Sequence, residues 1–318
     1  MTNAPRFPET LIEAVSYFAD EQRAFDFVVS MRWPNGVTCP HCAGQEVTLL
    51  AARRVFKCRP CRKQFSVKAG TVMEDSPIKL DKWLCAFWLI ANAKNGISSY
   101  EIHRSLGVTQ KTGWFLLHRI RLALQNGSIE KMGGTVEADE TFIGARARNM
   151  HKGKRTMKGR GPIAMTAVMG LLERHTGGEF GTSRVALKVV ATRKKGELQS
   201  EVRKHVSPGS EVHTDALKSY EGLVADYNHK VVDHAECYVK DNVHTNGLEN
   251  FWSLLKRTIK GTYVCPAAFH LFRYLDEQAF RFNERKTKDM GRFLLAVGGM
   301  FGKRLDYRTL TAADCLPN

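Results

Sequence analysis

The sequence predicts a multidomain α/β chain, and three observations predict it. Two CxxC pairs stand early, at Cys39/Cys42 and Cys58/Cys61. Residues 79–125 carry helical periodicity almost throughout. After Gly133 the pattern changes to short strand-like runs alternating with helical ones. A length of 318 residues leaves room for two or three domains, and a hydrophobic fraction of 43% supplies a sizeable core.

Residues 8–30 read as one amphipathic helix, with Leu11, Val15, Phe18, Ala19, Phe25, Phe27 and Val28 as its apolar positions. The turn chemistry of Trp33-Pro34-Asn35-Gly36 ends it. The two CxxC pairs follow, fifteen residues apart. Each knuckle puts two thiolates on a tight turn, and together they close a tetrahedron around one structural Zn²⁺. His41 lies inside a knuckle, but four cysteines already fill the site. Arg53, Arg54, Lys57, Arg59, Arg62 and Lys63 surround the knuckles. A purely structural staple and a staple that also touches nucleic acid both fit, and the basic rim favours the second.

A helix over Lys82 to Ala93 precedes a second one behind a Ser98 cap. After the turn Ser105-Leu106-Gly107-Val108, a third runs from Thr109 to Leu124 and carries Gln110, Lys111, His118, Arg119 and Arg121. This arrangement resembles a helix-turn-helix, with Lys111 and Arg119 as candidate DNA contacts. Any small three-helix packing offers the same pattern.

Strands are predicted at Thr135–Ile143, 163–172, Arg184–Val190, Glu211–Asp215 and 230–232. Helices are predicted at 196–205, 216–224, 244–263 and 266–284, the last with an aromatic stripe expected in the core. Residues 144–160 hold seven Lys and Arg and no acid. Lys152, Lys154, Arg155 and Lys158 make this stretch a candidate polyanion contact rather than a mere solvated turn.

Charge points the same way. Lys and Arg outnumber Asp and Glu by 48 to 32, a net charge of +16, which favours a nucleic-acid partner over a membrane. The apolar run Leu84 to Ala93 is too short to span a bilayer. The N-terminus has no basic-then-apolar layout of a secretion signal, and the scattered Cys85, Cys237, Cys265 and Cys315 suit a reducing cytoplasm.

The stretch HTNGLENFWSLLKRTIKGTY, His244 to Tyr263, organises the rest. As a helix it places Asn246, Glu249, Ser253, Lys256 and Lys260 on one side and Leu248, Phe251, Trp252, Leu255 and Ile259 on the other. Asn246 and Glu249 fit a capping box equally well. Upstream, Asp139 lies on the first strand and Asp215 ends the fourth. Three carboxylates from two strands and a helix can converge and hold two Mg²⁺ or Mn²⁺ ions, about 3.5–4 Å apart in such sites. Glu137 shares Asp139's face and is expected behind the site, whereas Glu140 alternates away. His213 and His244 are expected to be hydrogen-bonding neighbours, and Trp252 core.

VEADETFIG, HTDALKSY, HTNGLENFWSLLKRTIKGTY and RYLDEQAFRFNER closely resemble the DDE transposases of bacterial insertion sequences, in the ISXO-like group with an N-terminal zinc ribbon. The resemblance covers residues 20–285. It implies a ribonuclease-H-like catalytic domain at 129–285, behind an N-terminal helix (1–36), the ribbon (37–68) and a helix-turn-helix region (69–128), with 286–318 a C-terminal tail. It implies that Asp139 and Asp215 are the first two catalytic acids. Asn246 is sometimes counted as the third in this group, whereas Glu249 with Lys256 matches the Glu, six residues, Lys spacing of DDE enzymes. Glu249 is favoured, because a carboxylate neutralises metal charge and an amide does not.

The implied chemistry is cleavage at the element's ends and transfer of the 3′-hydroxyls into target DNA. Lys256 and Lys260 would sit on terminal phosphates, no nucleotide cofactor is needed, and a homo-oligomer would bring two ends together. A regulator without catalysis would be expected to have lost a carboxylate. A nuclease that cuts without joining differs only through the family resemblance.

Overall fold

A computed structural model of the chain describes residues 7–125, 131–144, 165–174, 182–232 and 243–312. The chain divides into two compact units, Met1–Asn126 with Thr287–Asn318, and Gly127–Lys286.

In the first unit the predicted single helix is two, α1 (Leu11–Phe18) and α2 (Glu21–Arg32). Asp20 breaks it: its carboxylate accepts the N–H groups of Gln22 and Arg23, which starts a new helix rather than continuing the old one. Leu11 and Val15 are consequently exposed, and Ala14, Phe18, Phe25, Phe27 and Val28 form the buried set. Strands β1 (Val47–Leu50), β2 (Val55–Cys58) and β3 (Gln64–Ser66) make an antiparallel ribbon. Helices α3 (Leu80–Asn92), α4 (Ser99–Leu106) and α5 (Gln110–Ala123) follow. Ser98 caps α4 as expected, and Glu101 completes a capping box with it; Gly107 ends α4 with φ +59°. Gly113 keeps α4 and α5 close, since a Cβ there would fall 2.9 Å from the Ser99 carbonyl.

Within the predicted C-terminal tail, residues 287–312 fold into the first unit. A helix at Asp289–Gly298 returns onto α3 and places fully buried Phe293 against Phe18, Phe27 and Trp88. Burial of such a ring contributes about 2–3 kcal/mol. Thr71 forms a bridge with Phe301, and the Lys303 ammonium donates to the carbonyls of Leu122 and Gln125 at the end of α5. The tail completes the first unit's core.

The second unit is built on a mixed five-stranded sheet. Strands β4 (Thr135–Ile143), β5 (Thr166–Arg174) and β6 (Arg184–Val190) form an antiparallel meander, and β7 (Glu211–Asp215) and β8 (Asn228–Val232) add in parallel on the other side of β4. The spatial order is β6-β5-β4-β7-β8. One face, with Val136, Ala138, Met169, Leu171 and Val212, is covered by α6 (Lys195–His205) through Leu198 and Val202, together with Tyr220 and Leu223. The other face receives α7 (Asn246–Thr258) and α8 (Leu271–Asn283). The helix expected at 216–224 is instead two short 3₁₀ turns separated by Gly222 at φ +102°. The predicted 244–263 helix ends as α at Thr258 and continues as one π turn through Tyr263. In α8 the buried side rotates away from the expected aromatic stripe. Leu271, Tyr274 and Leu275 are buried with Glu277, whose charge is met by Arg281 and the Tyr263 hydroxyl.

Candidate active site and metal centre

In the ribbon, the Sγ atoms of Cys39, Cys42, Cys58 and Cys61 all lie within 4.8 Å of one another. Cys39–Cys61 and Cys42–Cys58 are 3.7 and 3.5 Å apart. A tetrahedron with Zn–S bonds of about 2.3 Å has edges of about 3.8 Å, so the four thiols fit one Zn²⁺. His41 is outside the set, its ring against Phe65. Of the basic rim, Arg54 pairs with Glu21 and Arg59 with Glu46, while Lys57, Arg62 and Lys63 are exposed.

The second site forms at the middle of β4 and the C-terminal end of β7. Their parallel ladder runs Glu137↔His213 and Ala138↔Thr214, so the next residues are Asp139 and Asp215. The buried stripe of α7 is Leu248, Phe251, Trp252 and Leu255, as its periodicity predicts, with Ile259 carrying the stripe on. Its other side gives Glu249, Ser253, Lys256, Arg257 and Lys260 to an open cleft of about 610 Å³, shared with Asp139, Glu140, Thr141 and Trp252. Burial raises the Asp139 carboxyl above its ordinary range. The Trp252 indole and the Glu140 N–H pull it back, and the charges of Asp215 and Glu249 push it up again. Asp139 therefore feels both Asp215 and Glu249. Carboxylate oxygens are the donor type that suits divalent cations, but among the described residues only the four ribbon cysteines bring three or more ligand atoms close enough together to hold an ion as they stand.

The capping-box alternative for α7 does not form. Neither Asn246 nor Thr245 makes a side-chain cap, and Asn246 is the exposed first residue of the helix, outside the cleft lining. The helix start is instead fixed by Glu137, one residue pair below Asp139 on the same face. Its carboxylate, 1% exposed, accepts the Leu248 N–H at 2.9 Å and is held by Arg174 at 2.5 Å. Gly247 is required there, since a Cβ would fall 2.9 Å from both Glu137 oxygens. A buried anion at a helix N-terminus is favourable, and here it also sets where Glu249 stands. Burial and then Arg174 lower the His244 imidazole, which accepts from Arg174 through Nδ1. His213 bonds to Glu211 through Nε2. Both histidines are hydrogen-bonding neighbours.

Sequence reasoning missed two residues. Trp252 is buried, as expected, but its Nε1–H also donates to Asp139 Oδ2 at 2.9 Å. Its ring fits because Gly170, the β5 partner of Asp139, has no Cβ; one would stand 2.6 Å from the indole. The glycine on a strand opposite an acid was the available signal. Glu140 faces the other side of the sheet, as alternation predicts, yet it lines the cleft and accepts from the Tyr220 hydroxyl. Burial pushes its carboxyl up to about 7, with Tyr220 opposing and Asp215 and Asp139 adding to the rise.

The candidate DNA contacts separate. Lys256 and Lys260 line the cleft. Lys152, Lys154, Arg155 and Lys158 lie outside the described residues. Lys111 is exposed at the start of α5, its ammonium 4.8 Å from the Tyr307 ring. Arg119 is a correction: it is 6% exposed and donates to the carbonyls of Leu305 and Glu74. His118 and Arg121 are buried as well, so most of the basic character of α5 is internal. Among the described residues no helix is long and apolar enough to cross a membrane.

Residues 131–283 match the ISXO2-like transposase domain, and residues 19–64 match the transposase zinc-ribbon domain. An uncharacterized protein in the transposable element ISH50 of Halobacterium salinarum is 27% identical over 262 residues, covering 76% of this chain and 84% of that protein. An uncharacterized transposase-like protein of Haemophilus influenzae is 31% identical over 106 residues, covering 33% of this chain and 85% of that protein. The ribbon and the strand-helix unit that holds Asp139, Asp215 and Glu249 are thus matched separately, in the order found here, and the chain belongs to the ISXO2-like transposase family.

Proposed function

We propose that this transposase cuts phosphodiester bonds at the ends of its insertion sequence and joins the freed 3′-hydroxyls to target DNA. The observation that carries the reading is that Asp139 feels the charges of both Asp215 and Glu249, and that Asp139 and Glu249, though not Asp215, line a cleft with Lys256, Arg257 and Lys260. Acids alone would repel a DNA backbone; acids flanked by cations on the same helix suit a phosphate held over a metal-binding centre. The β6-β5-β4-β7-β8 sheet, three antiparallel strands followed by two parallel ones, supports a ribonuclease-H-like reading of this unit.

Asp139, Asp215 and Glu249 would hold two Mg²⁺ or Mn²⁺ ions. When bound, these supply Lewis-acid stabilisation of the attacking and leaving oxygens in an in-line displacement. Trp252 and the Glu140 N–H fix the Asp139 carboxylate, one on each oxygen. Glu137 and Arg174 fix the start of α7 and so the height of Glu249. Lys256 and Lys260 neutralise phosphate charge along the scissile strand. The zinc ribbon, with exposed Lys57, Arg62 and Lys63, and the α4–α5 pair through Lys111 are assigned to recognition of the element ends. The 144–160 segment is assigned to flanking backbone. The working form is a homo-oligomer, since two ends must be joined together.

The test is Mg²⁺-dependent nicking of a labelled duplex carrying the inverted repeats that flank the gene. Glu249→Gln is expected to abolish nicking and leave the melting temperature and end binding unchanged, whereas Asn246→Ala keeps appreciable activity. A dead, well-folded Asn246→Ala beside an active Glu249→Gln would move the third ligand to the asparagine.

A further inference from the structure

A second basic surface borders the same carboxylates from the other face of the sheet. It consists of Arg193, Lys194 and Lys195, on the turn into α6, and Lys218 on the neighbouring 3₁₀ turn; all four are exposed. Among the described residues none of the four has a carboxylate within ion-pair distance, unlike Arg203, which pairs with Asp226 further along α6. The turn is built rather than loose. The Glu197 carboxylate accepts the N–H groups of Ala191 and Thr192 and the Thr192 hydroxyl, each at 2.8 Å. The Ser219 hydroxyl donates to the Arg193 carbonyl, and Gln199 donates to the carbonyls of Ser219 and Glu221, so the two basic turns are tied to each other.

The position relative to the acids follows from β4. Phe142 shares a face with Glu140, and the Arg193 guanidinium lies over the Phe142 ring, 4.9 Å from its centroid. Tyr220, two residues beyond Lys218, donates to Glu140. The basic turns therefore stand near Asp139 and Asp215, but on the α6 face. Lys256, Arg257 and Lys260 stand on the α7 face.

We infer that Arg193, Lys194, Lys195 and Lys218 hold the phosphate backbone of the target duplex, while the α7 cations hold the element end. This rests on the proposed cutting and joining activity. An in-line displacement puts the attacking and leaving oxygens on opposite sides of the phosphorus, so the two DNAs must diverge from the carboxylates in opposite directions. The α7 cations share a helix with Glu249 and belong to the strand presented there. The α6 face carries a basic bank beside the same acids, with Arg193 near enough to Glu140 to lower its carboxyl. The preformed geometry of this bank needs little ordering on contact with phosphate.

The experiment uses the full chain and the variant Lys194→Ala/Lys195→Ala/Lys218→Ala, which leaves the Arg193–Phe142 stack in place. Three assays are run: hydrolytic nicking of an uncut element end, joining of a pre-cut end to plasmid DNA, and salt-dependent binding to a plain duplex. Joining is expected to fall roughly tenfold or more and nicking to stay within about twofold, while the log–log salt slope drops by about 0.9 per contact removed. Lys194→Arg/Lys195→Arg/Lys218→Arg should keep all three near wild type. Unchanged joining, or an equal fall in nicking and joining, overturns the inference and leaves the proposed function standing. If wild type neither nicks nor joins, the proposed function fails instead, and an unchanged salt slope then removes the basic surface too.

Discussion

Two helices, α5 and α7, have much the same appearance in the sequence: apolar positions at helical spacing, interrupted by several basic residues. In α7 the cations Lys256 and Arg257 line a cleft with Glu249 and Ser253. In α5 the corresponding residues His118, Arg119 and Arg121 are buried, and Arg119 spends its guanidinium on two backbone carbonyls. The difference lies in what covers each helix. α7 presses one side on the sheet and leaves the other open. α5 is covered in part by residues nearly two hundred positions away, with Leu305 accepting from Arg119 and Lys303 donating at the α5 C-terminus. A buried guanidinium needs acceptors, and the returning chain supplies them.

That comparison can be broken by mutation. The largest effect is expected in the cleft: Asp139→Asn or Asp215→Asn should lower nicking by roughly a thousandfold or more, the several kcal/mol a bound cation contributes to such a step, with no loss of melting temperature. Next is α5. Arg119→Ala should cost about 3 kcal/mol by leaving buried carbonyls unpaired, seen in urea unfolding, and should not change the salt slope of DNA binding. A stable Arg119→Ala with a reduced slope would make Arg119 a phosphate contact after all.

Zinc removal by a chelator, or Cys58→Ser, should unfold the ribbon and abolish end-specific binding; atomic absorption should then give one zinc per wild-type chain and none in the variant. Lys256→Ala with Lys260→Ala should lower the salt slope by about 1.8 at unchanged melting temperature, the mirror image of Arg119→Ala.

The smallest effect concerns Glu140 in metal-free protein. Its folded carboxyl is raised to about 7, above its ordinary 4.5, so the folded state binds the proton more tightly than the unfolded one. Its contribution to stability is present below pH 4.5 and is lost as pH rises through 7. Glu140→Gln should therefore raise the melting temperature at pH 8 and leave it nearly unchanged at pH 4. A variant equally stabilised at both pH values would assign the effect to packing against Tyr220.

The sequence by itself determined the features whose information is local. Two CxxC knuckles define a thiolate site because each turn is closed within four residues. Period-2 patterning marked β4, β6 and β7 at their observed bounds, and period-3.6 patterning marked the buried stripe of α7, because both repeats follow from backbone geometry alone. Asp139, Asp215 and Glu249 were legible as acids on two neighbouring strands and a helix. Only the tertiary structure decided which groups those elements would meet. A capping box through Asn246 and Glu249 is one of two readings the α7 start allows, yet Glu137, 111 residues upstream, takes the Leu248 N–H. Trp252 reaches Asp139 only because Gly170 lies beside it on the adjoining strand. Arg119 of α5 finds acceptors only in distant segments, at Leu305 of the returning chain and at Glu74. A side chain's type is written in the sequence, but the acceptor that satisfies it, or the solvent it faces, is fixed by chain segments that folding brings from far away.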